Sequence, residues 1–236
     1  MKRIFIVVGF LALVVMTDRA MAEEGFASMF NGKNLTGWEG ATNLWSVKDG
    51  AIVGQTTPEN PAKENTFLVW TNGQPGDFEM RCSFKINANN TVGFANSGVQ
   101  YRSKVVKPSY WVVAGYQADM EAGPNYTGGL YEEKGRGILA KRGQKILIHP
   151  DGTLEVTGSL GDSAKLEDEI RKGDWNEYVI IAKGNHLEQF INGKEMIDVV
   201  DEQAEKAATS GVIALQLHAG KPMTVEFKDL RIKELK

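Results

Sequence analysis

Asp77-Phe78-Glu79-Met80-Arg81-Cys82-Ser83-Phe84-Lys85-Ile86 decides the fold. Phe78, Met80, Cys82, Phe84 and Ile86 fall on one side of an extended chain. Glu79, Arg81, Ser83 and Lys85 fall on the other. A period of two over ten residues is a strand with one face in a core and one in water. Working outward, the same signal recurs with turn residues between. Trp45-Ser46-Val47 and Ala51-Ile52-Val53 flank Asp49-Gly50, a hairpin signature. Lys145–His149 and Thr153–Thr157 flank Pro150-Asp151-Gly152. Trp175–Lys183 and His186–Ile191 flank Gly184-Asn185, and Asn192-Gly193 leads into Lys194–Ile197. Val212–His218 and Thr224–Ile232 are expected to pair around Ala219-Gly220-Lys221-Pro222. Only 164–171 and 201–208 could form short helices, and neither carries an apolar stripe wide enough for a core layer. Many short strands with regular turns predict a β-sandwich or barrel in one domain.

Composition agrees. The 236 residues are 24% charged and 9% aromatic, the profile of a globular chain. The formal charge of −3 gives no reason to expect nucleic acid or an anionic membrane as partner. At the N-terminus, Lys2-Arg3, an apolar run from Ile4 to Met16 and Ala20-Met21-Ala22 have the layout of a secretory signal. The run is too short to span a bilayer. Cleavage is expected after Ala22, leaving residues 23–236 as the mature domain in the periplasm or outside the cell. That segment holds three cations and one anion, so its removal takes the formal charge from −3 to −5. Cys82 is the single cysteine, which excludes an intramolecular disulfide; its place in the alternation makes it a small core residue.

The faces turned away from the core carry the functional signal. Glu79 pairs with Arg81 on one face, Gly98 with Gln100 and Arg102, Gln117 with Asp119, and Gln216 with His218. Planar amide, carboxyl and guanidinium groups suit sugar hydroxyls and carbonyls. If their strands share a sheet, they form a polar floor, with Tyr101, Tyr116, Tyr126, Tyr131 and Trp111 available as walls. Residues 123–137 read as a Gly-rich loop carrying Glu132, Glu133 and Arg136. It lacks the Gly-Lys-Ser/Thr ending of a phosphate loop. Of the three histidines, His149 is expected to be exposed, His186 to be surface or site rim, and His218 to be the titrating group. Their spacing argues against a structural zinc site.

Several segments resemble the 3-keto-disaccharide hydrolase domain family, also described as 3-keto-glycoside 1,2-lyase/3-keto-2-hydroxyglucal hydratase. They are Gly25-Phe26-Ala27-Ser28-Met29-Phe30-Asn31-Gly32-Lys33-Asn34-Leu35-Thr36-Gly37-Trp38, Asn96-Ser97-Gly98-Val99-Gln100-Tyr101-Arg102, Gly115-Tyr116-Gln117-Ala118-Asp119, Gly128-Gly129-Leu130-Tyr131 and Leu215-Gln216-Leu217-His218, with Val225–Leu235 closing the chain. The resemblance implies a concanavalin A-like jelly-roll sandwich of two antiparallel sheets, export, and cleavage of 3-keto-glycosides. Many members have an acidic residue where Gln117 stands, so Asp119, Glu79 and His218 become the base candidates here. In that chemistry a C3 ketone acidifies the C2 hydrogen. A base removes it, the enolate expels the C1 substituent, and water adds to the alkene. The expected roles are His218 or Asp119 as base, Glu79 as acid, and Arg102 and Gln100 as enolate-side donors. Gln117, Tyr131, Gln216 and Arg136 are the other substrate contacts. Asp119, Glu79 and His218 are also candidate ligands for a divalent cation such as Mn²⁺. The alternatives are a non-catalytic, lectin-like carbohydrate-binding module and a laminin-G-type adhesion domain. The last predicts an exposed apolar patch.

Overall fold

The computed structural model describes residues 25–236; the signal segment expected at 1–22 lies outside the described residues. The chain forms β1 (Ala27–Ser28), β2 (Trp38–Glu39), β3 (Trp45–Lys48), β4 (Ala51–Thr56), β5 (Thr66–Trp70), β6 (Phe78–Ala88), β7 (Asn96–Lys107), β8 (Val112–Glu121) and β9 (Leu130–Glu133). It continues through β10 (Gly137–Ala140), β11 (Gln144–Ile148), β12 (Leu154–Ser159), α1 (Ser163–Glu167), β13 (Asn176–Lys183), β14 (His186–Ile191), β15 (Lys194–Asp201), β16 (Val212–Leu217) and β17 (Met223–Glu234). The strands build two sheets. The larger, of ten strands, runs β12-β11-β15-β14-β13-β6-β17-β4-β3 with β1 added to β17; the smaller, of seven, runs β10-β9-β8-β7-β16-β5-β2.

The alternation in β6 is what holds them together. Phe78, Met80, Cys82, Phe84 and Ile86 are all buried between the sheets. Burying one such side chain contributes ~1.5–3 kcal/mol. The Cys82 thiol, desolvated there, is pushed up to about 12, which makes it inert. In the β3–β4 turn, Asp49 and Gly50 hold φ of 50° and 76°, as the tight hairpin requires.

Four expectations are corrected. The larger sheet is not purely antiparallel, because β11 pairs parallel with β15 from Gln144↔Ile197 to Ile148↔Asp201. β16 and β17 do not form a hairpin. β16 pairs with β5 and β7 in the smaller sheet, and β17 with β4 and β6 in the larger. Both strands have the right alternation, but the connection 218–222 crosses from one sheet to the other. Only the first of the two short helices forms, as α1 with Asp162 capping the N–H groups of Ala164 and Lys165. Finally, the second half of the Gly-rich segment 123–137 is not loop: β9 pairs with β8.

One feature of the smaller sheet positions the site. The tip of the β7–β8 hairpin folds back over its outer face. There Val113 joins Phe67, Val69 and Ala214 in a small apolar cluster outside the main core. Beside that cluster the same outer face is hollowed.

Candidate functional site

The outer face of the smaller sheet holds a cleft of about 480 Å³. Its floor comes from neighbouring strands: Asn96 on β7, Gln117 and Asp119 on β8, Tyr131 and Glu133 on β9, and Gln216 on β16. His218, just past β16, and Asn65, just before β5, close one side. Phe94, Tyr126 and Ile138 stand at the rim. Exposed apolar side chains around a polar floor suit a sugar ring, which has C–H faces and hydroxyl edges.

The floor groups are joined to one another. Asn96 Nδ2 and Gln117 Nε2 each donate to Asp119 Oδ1 at 3.2 Å. Gln117 Nε2 also reaches Gln216 Oε1 at 3.4 Å, and Gln216 Nε2 donates to Glu133 Oε2 at 3.3 Å. Asn65 Nδ2 lies 3.4 Å from Glu133 Oε1, and its Oδ1 accepts the Ala219 N–H at 3.0 Å. Gly98 makes the crossing possible. β7 lies between β8 and β16, and a Cβ on Gly98 would sit 2.4 Å from Gln117 Cγ. Without that Cβ, Gln117 lies across β7 and meets Gln216.

The wall residue Tyr126 is held from beneath. Glu121 accepts the backbone N–H of Asn125 and of Tyr126, the latter at 2.8 Å. Arg142, itself buried, donates to the carbonyls of Thr127 at 2.7 Å and Pro124 at 3.0 Å.

Two carboxyl groups in the floor are perturbed in the same direction. Burial pushes Asp119 up to about 7, against the opposing hydrogen bonds from Asn96 and Gln117. Burial also raises Glu133, partly offset by Lys134, Asn65 and His218. Desolvation penalises the charged form, and it outweighs the donors here. A carboxyl titrating near neutrality can act as acid or base at physiological pH. The His218 imidazole is set differently. Its Nδ1 lies 2.5 Å from the Ala219 carbonyl oxygen, which can only accept. Nδ1 therefore carries a proton, and in the neutral form of the ring Nε2 is the acceptor.

Of the side chains expected in the site, Asp119, His218, Gln117, Gln216 and Tyr131 line the cleft. Gln100 lies beside it, fully buried, its amide against the Gln117 amide (2.8 Å) and the Ser103 hydroxyl (2.7 Å). Three are elsewhere. Glu79 is on β6 in the other sheet, paired with Arg81 Nε at 2.6 Å. Arg102 sits at the break in β7–β8 register with φ of 47°. Its guanidinium turns away to the carbonyls of Gly76 (2.9 Å) and Gly184 (2.6 Å) and to Asp77 (3.0 Å). Arg136 bridges the two sheets inside the molecule, 2.7 Å from both Glu132 and Asp201. Among the expected walls, Tyr101 and Tyr116 are core residues stacked on each other, and Trp111 lies in the β7–β8 tip. His149 pairs with Glu155, and His186 with Asp198, both at 2.7 Å. The proposed cation ligands Asp119, Glu79 and His218 do not converge, since Glu79 is on the other sheet. Among the described residues no group of three or more His, Cys, Asp or Glu side chains is placed to hold a metal ion.

Asn65, Asn96 and Glu133 line the cleft without having been expected there. For Glu133 a sequence signal exists: it is two positions from Tyr131, hence on the same strand face. Reading the segment as loop hid that period.

Fold and cleft together define a jelly-roll sandwich with a polar-floored, aromatic-rimmed cleft on its smaller sheet. The sequence matches the 3-keto-alpha-glucoside-1,2-lyase-like domain over residues 25–233, and the chain belongs to that family. Similar solved structures include a protein from Parabacteroides distasonis ATCC 8503 provisionally named a glycosyl hydrolase (21% identity, TM-score 0.57, covering 90% of this chain and 95% of that one). The carbohydrate-binding module CBM66 from Bacillus subtilis is also similar (14%, TM-score 0.56, 84% and 96%). So is a Bacillus subtilis protein described as having a galectin-like fold (12%, TM-score 0.54, 85% and 90%). At these identities the likeness is one of fold. No curated protein matches the sequence.

Proposed function

We propose that this protein is an exported enzyme that cleaves 3-keto-glycosides by elimination and rehydration. The observation that carries the reading is the cleft itself, which Asp119, pushed up to about 7, lines together with Glu133 and His218. Family membership supplies the substrate class. In this mechanism His218 Nε2 takes the C2 proton of the bound 3-keto sugar. The C2–H electron pair becomes the enolate, whose oxygen is met by the floor amides of Asn96, Gln117 or Gln216. The enolate then re-forms the ketone as the C1–O bond breaks, and Asp119 or Glu133 in its acid form protonates the departing oxygen. Water adds to C1 of the resulting enone, C2 regains a proton, and a 3-keto sugar is released. Glu133 takes the acid role first assigned to Glu79. A positioned acid or base contributes ~10²–10⁴-fold.

The test is cleavage of a 3-keto-glucoside by Asp119→Asn and His218→Ala. Loss of rate in both, with sugar binding retained, is expected. Full activity in both variants would remove the cleft from the mechanism. Likeness to a carbohydrate-binding module keeps a second reading in view, sugar binding without turnover. A wild-type protein that binds the ketoglycoside and never cleaves it would establish that reading. The adhesion alternative needs an apolar patch, whereas this cleft is floored by amides and carboxyls. Export belongs to the same proposal: mass analysis of the mature protein should find Glu23 as the first residue.

A further inference from the structure

A second hollow opens on the other side of the segment that leads into β5. Side chains alternate along this extended run. Asn65 points into the cleft, while Glu64 and Thr66 line a separate depression of about 410 Å³. The two hollows share no lining residue. The far wall of the second is the β7–β8 tip, Ser109-Tyr110-Trp111, and the 40–44 turn closes it below.

The tip is fastened in place. Thr66 Oγ1 donates to the Tyr110 carbonyl at 2.9 Å. Lys107 Nζ lies 2.5 Å from Glu64 and 4.2 Å from the centre of the Tyr110 ring. Trp111 holds φ of 53°, an outlier for a bulky residue, and is kept there by packing against the outer apolar cluster. Backbone strain of this kind gathers at ligand clamps and persists only where surrounding contacts enforce it. Tyr110, next to it, is 44% exposed.

The surroundings choose the ligand class. The charged side chains lining the hollow, Lys63 and Glu64, are of opposite sign, and Glu64 is also paired with Lys107. Nothing there selects an ion. Thr42, Asn43 and Ser109 line the hollow with Tyr110, and Ala41, Leu44, Pro61 and Ala62 supply apolar surface between them, a mixed lining rather than a continuous apolar groove. An exposed aromatic side chain in one hollow with hydroxyl and amide groups matches a neutral pyranose, which has C–H faces to pack on aromatic and apolar surface and hydroxyls to bond the polar groups. We propose that this hollow is a second, non-catalytic carbohydrate site that seats a neutral sugar unit against Tyr110. Only residues 64–66 separate it from the cleft, so a glycan held here keeps the rest of its chain at high local concentration beside the cleft.

Calorimetric titration of the protein with maltohexaose and with cellohexaose tests this. At least one of the two should bind the wild type. Tyr110→Ala should weaken that binding by at least about tenfold, while Gln216→Ala, in the cleft floor, should leave the Tyr110 site occupied. Trp111→Gly suits the left-handed backbone, so it keeps the fold and should also weaken the Tyr110 site. Cleavage of a small 3-keto-disaccharide should be unchanged in Tyr110→Ala, which separates this site from the catalytic reading. No binding of either sugar, or Tyr110→Ala and Trp111→Gly isotherms that superimpose on the wild type, would overturn the proposal.

Discussion

Asp119→Asn should make the protein more stable at alkaline pH while disabling it. In the folded chain this carboxyl holds its proton up to about pH 7, against an ordinary value of 3.8. The native state therefore binds the proton more tightly than the unfolded state. The stability this group contributes is intact below about pH 4 and is lost as pH rises through about 7. Each decade between the two values is worth about 1.36 kcal/mol, so the loss approaches roughly 4 kcal/mol above pH 8. An asparagine escapes it: its oxygen still accepts from Asn96 and Gln117, and it never ionises. Urea denaturation of wild type and variant at about pH 5 and pH 8 reads the effect directly. The variant's advantage should grow by roughly 2–3 kcal/mol between the two, because part of the loss is already present at pH 5. Glu133 titrates in both proteins and cancels in the difference. If the difference between the two proteins is the same at both pH values, Asp119 ionises normally and the chemistry assigned to it fails.

Other outcomes follow from particular contacts. Gly98→Ala places a Cβ against Gln117, so it should cost about 1–3 kcal/mol in thermal or urea denaturation and weaken sugar binding by breaking the Gln117–Gln216 link. Glu133→Gln keeps the size and hydrogen bonds of the floor; if Glu133 is the acid, kcat on a 3-keto-glycoside should fall about 10²-fold or more with KM little changed. Arg136→Ala leaves the Asp201 carboxylate buried without its cation and should destabilise the fold by about 3–5 kcal/mol, measured by denaturation. Its sugar affinity per folded molecule should match the wild type, since Arg136 lies outside the cleft.

What could be read from the sequence follows from what is local. Period-two spacing in 77–86 and the Asp49-Gly50 turn identify strands and a hairpin, because both depend on adjacent residues. The pairs Gln117/Asp119 and Gln216/His218 share faces for the same reason, and both line the cleft. Sheet membership is not local. Glu79 alternates as well as Asp119 does, yet its strand belongs to the opposite sheet, and β16 looks like the hairpin partner of β17 until their neighbours are known. Arg102 shows how a bulge defeats alternation: one residue in the left-handed region redirects the side chain from the cleft face to the Gly76 and Gly184 carbonyls. Arg136 is misread for a related reason. A lone arginine in a Gly-rich stretch looks exposed, and only the fold reveals Glu132 and Asp201 beside it.

The most direct measurement is cleavage of a 3-keto-glucoside in D₂O, with the product examined at C2 by NMR and a blank without protein for spontaneous exchange. The proton that His218 takes from C2 is lost to solvent while the leaving group departs and water enters, so the enzymatic product should carry deuterium there from its first appearance. Product that retains its original hydrogen at C2 would mean the glycosidic bond breaks without an enolate, and the roles given to His218 and Asp119 would be wrong.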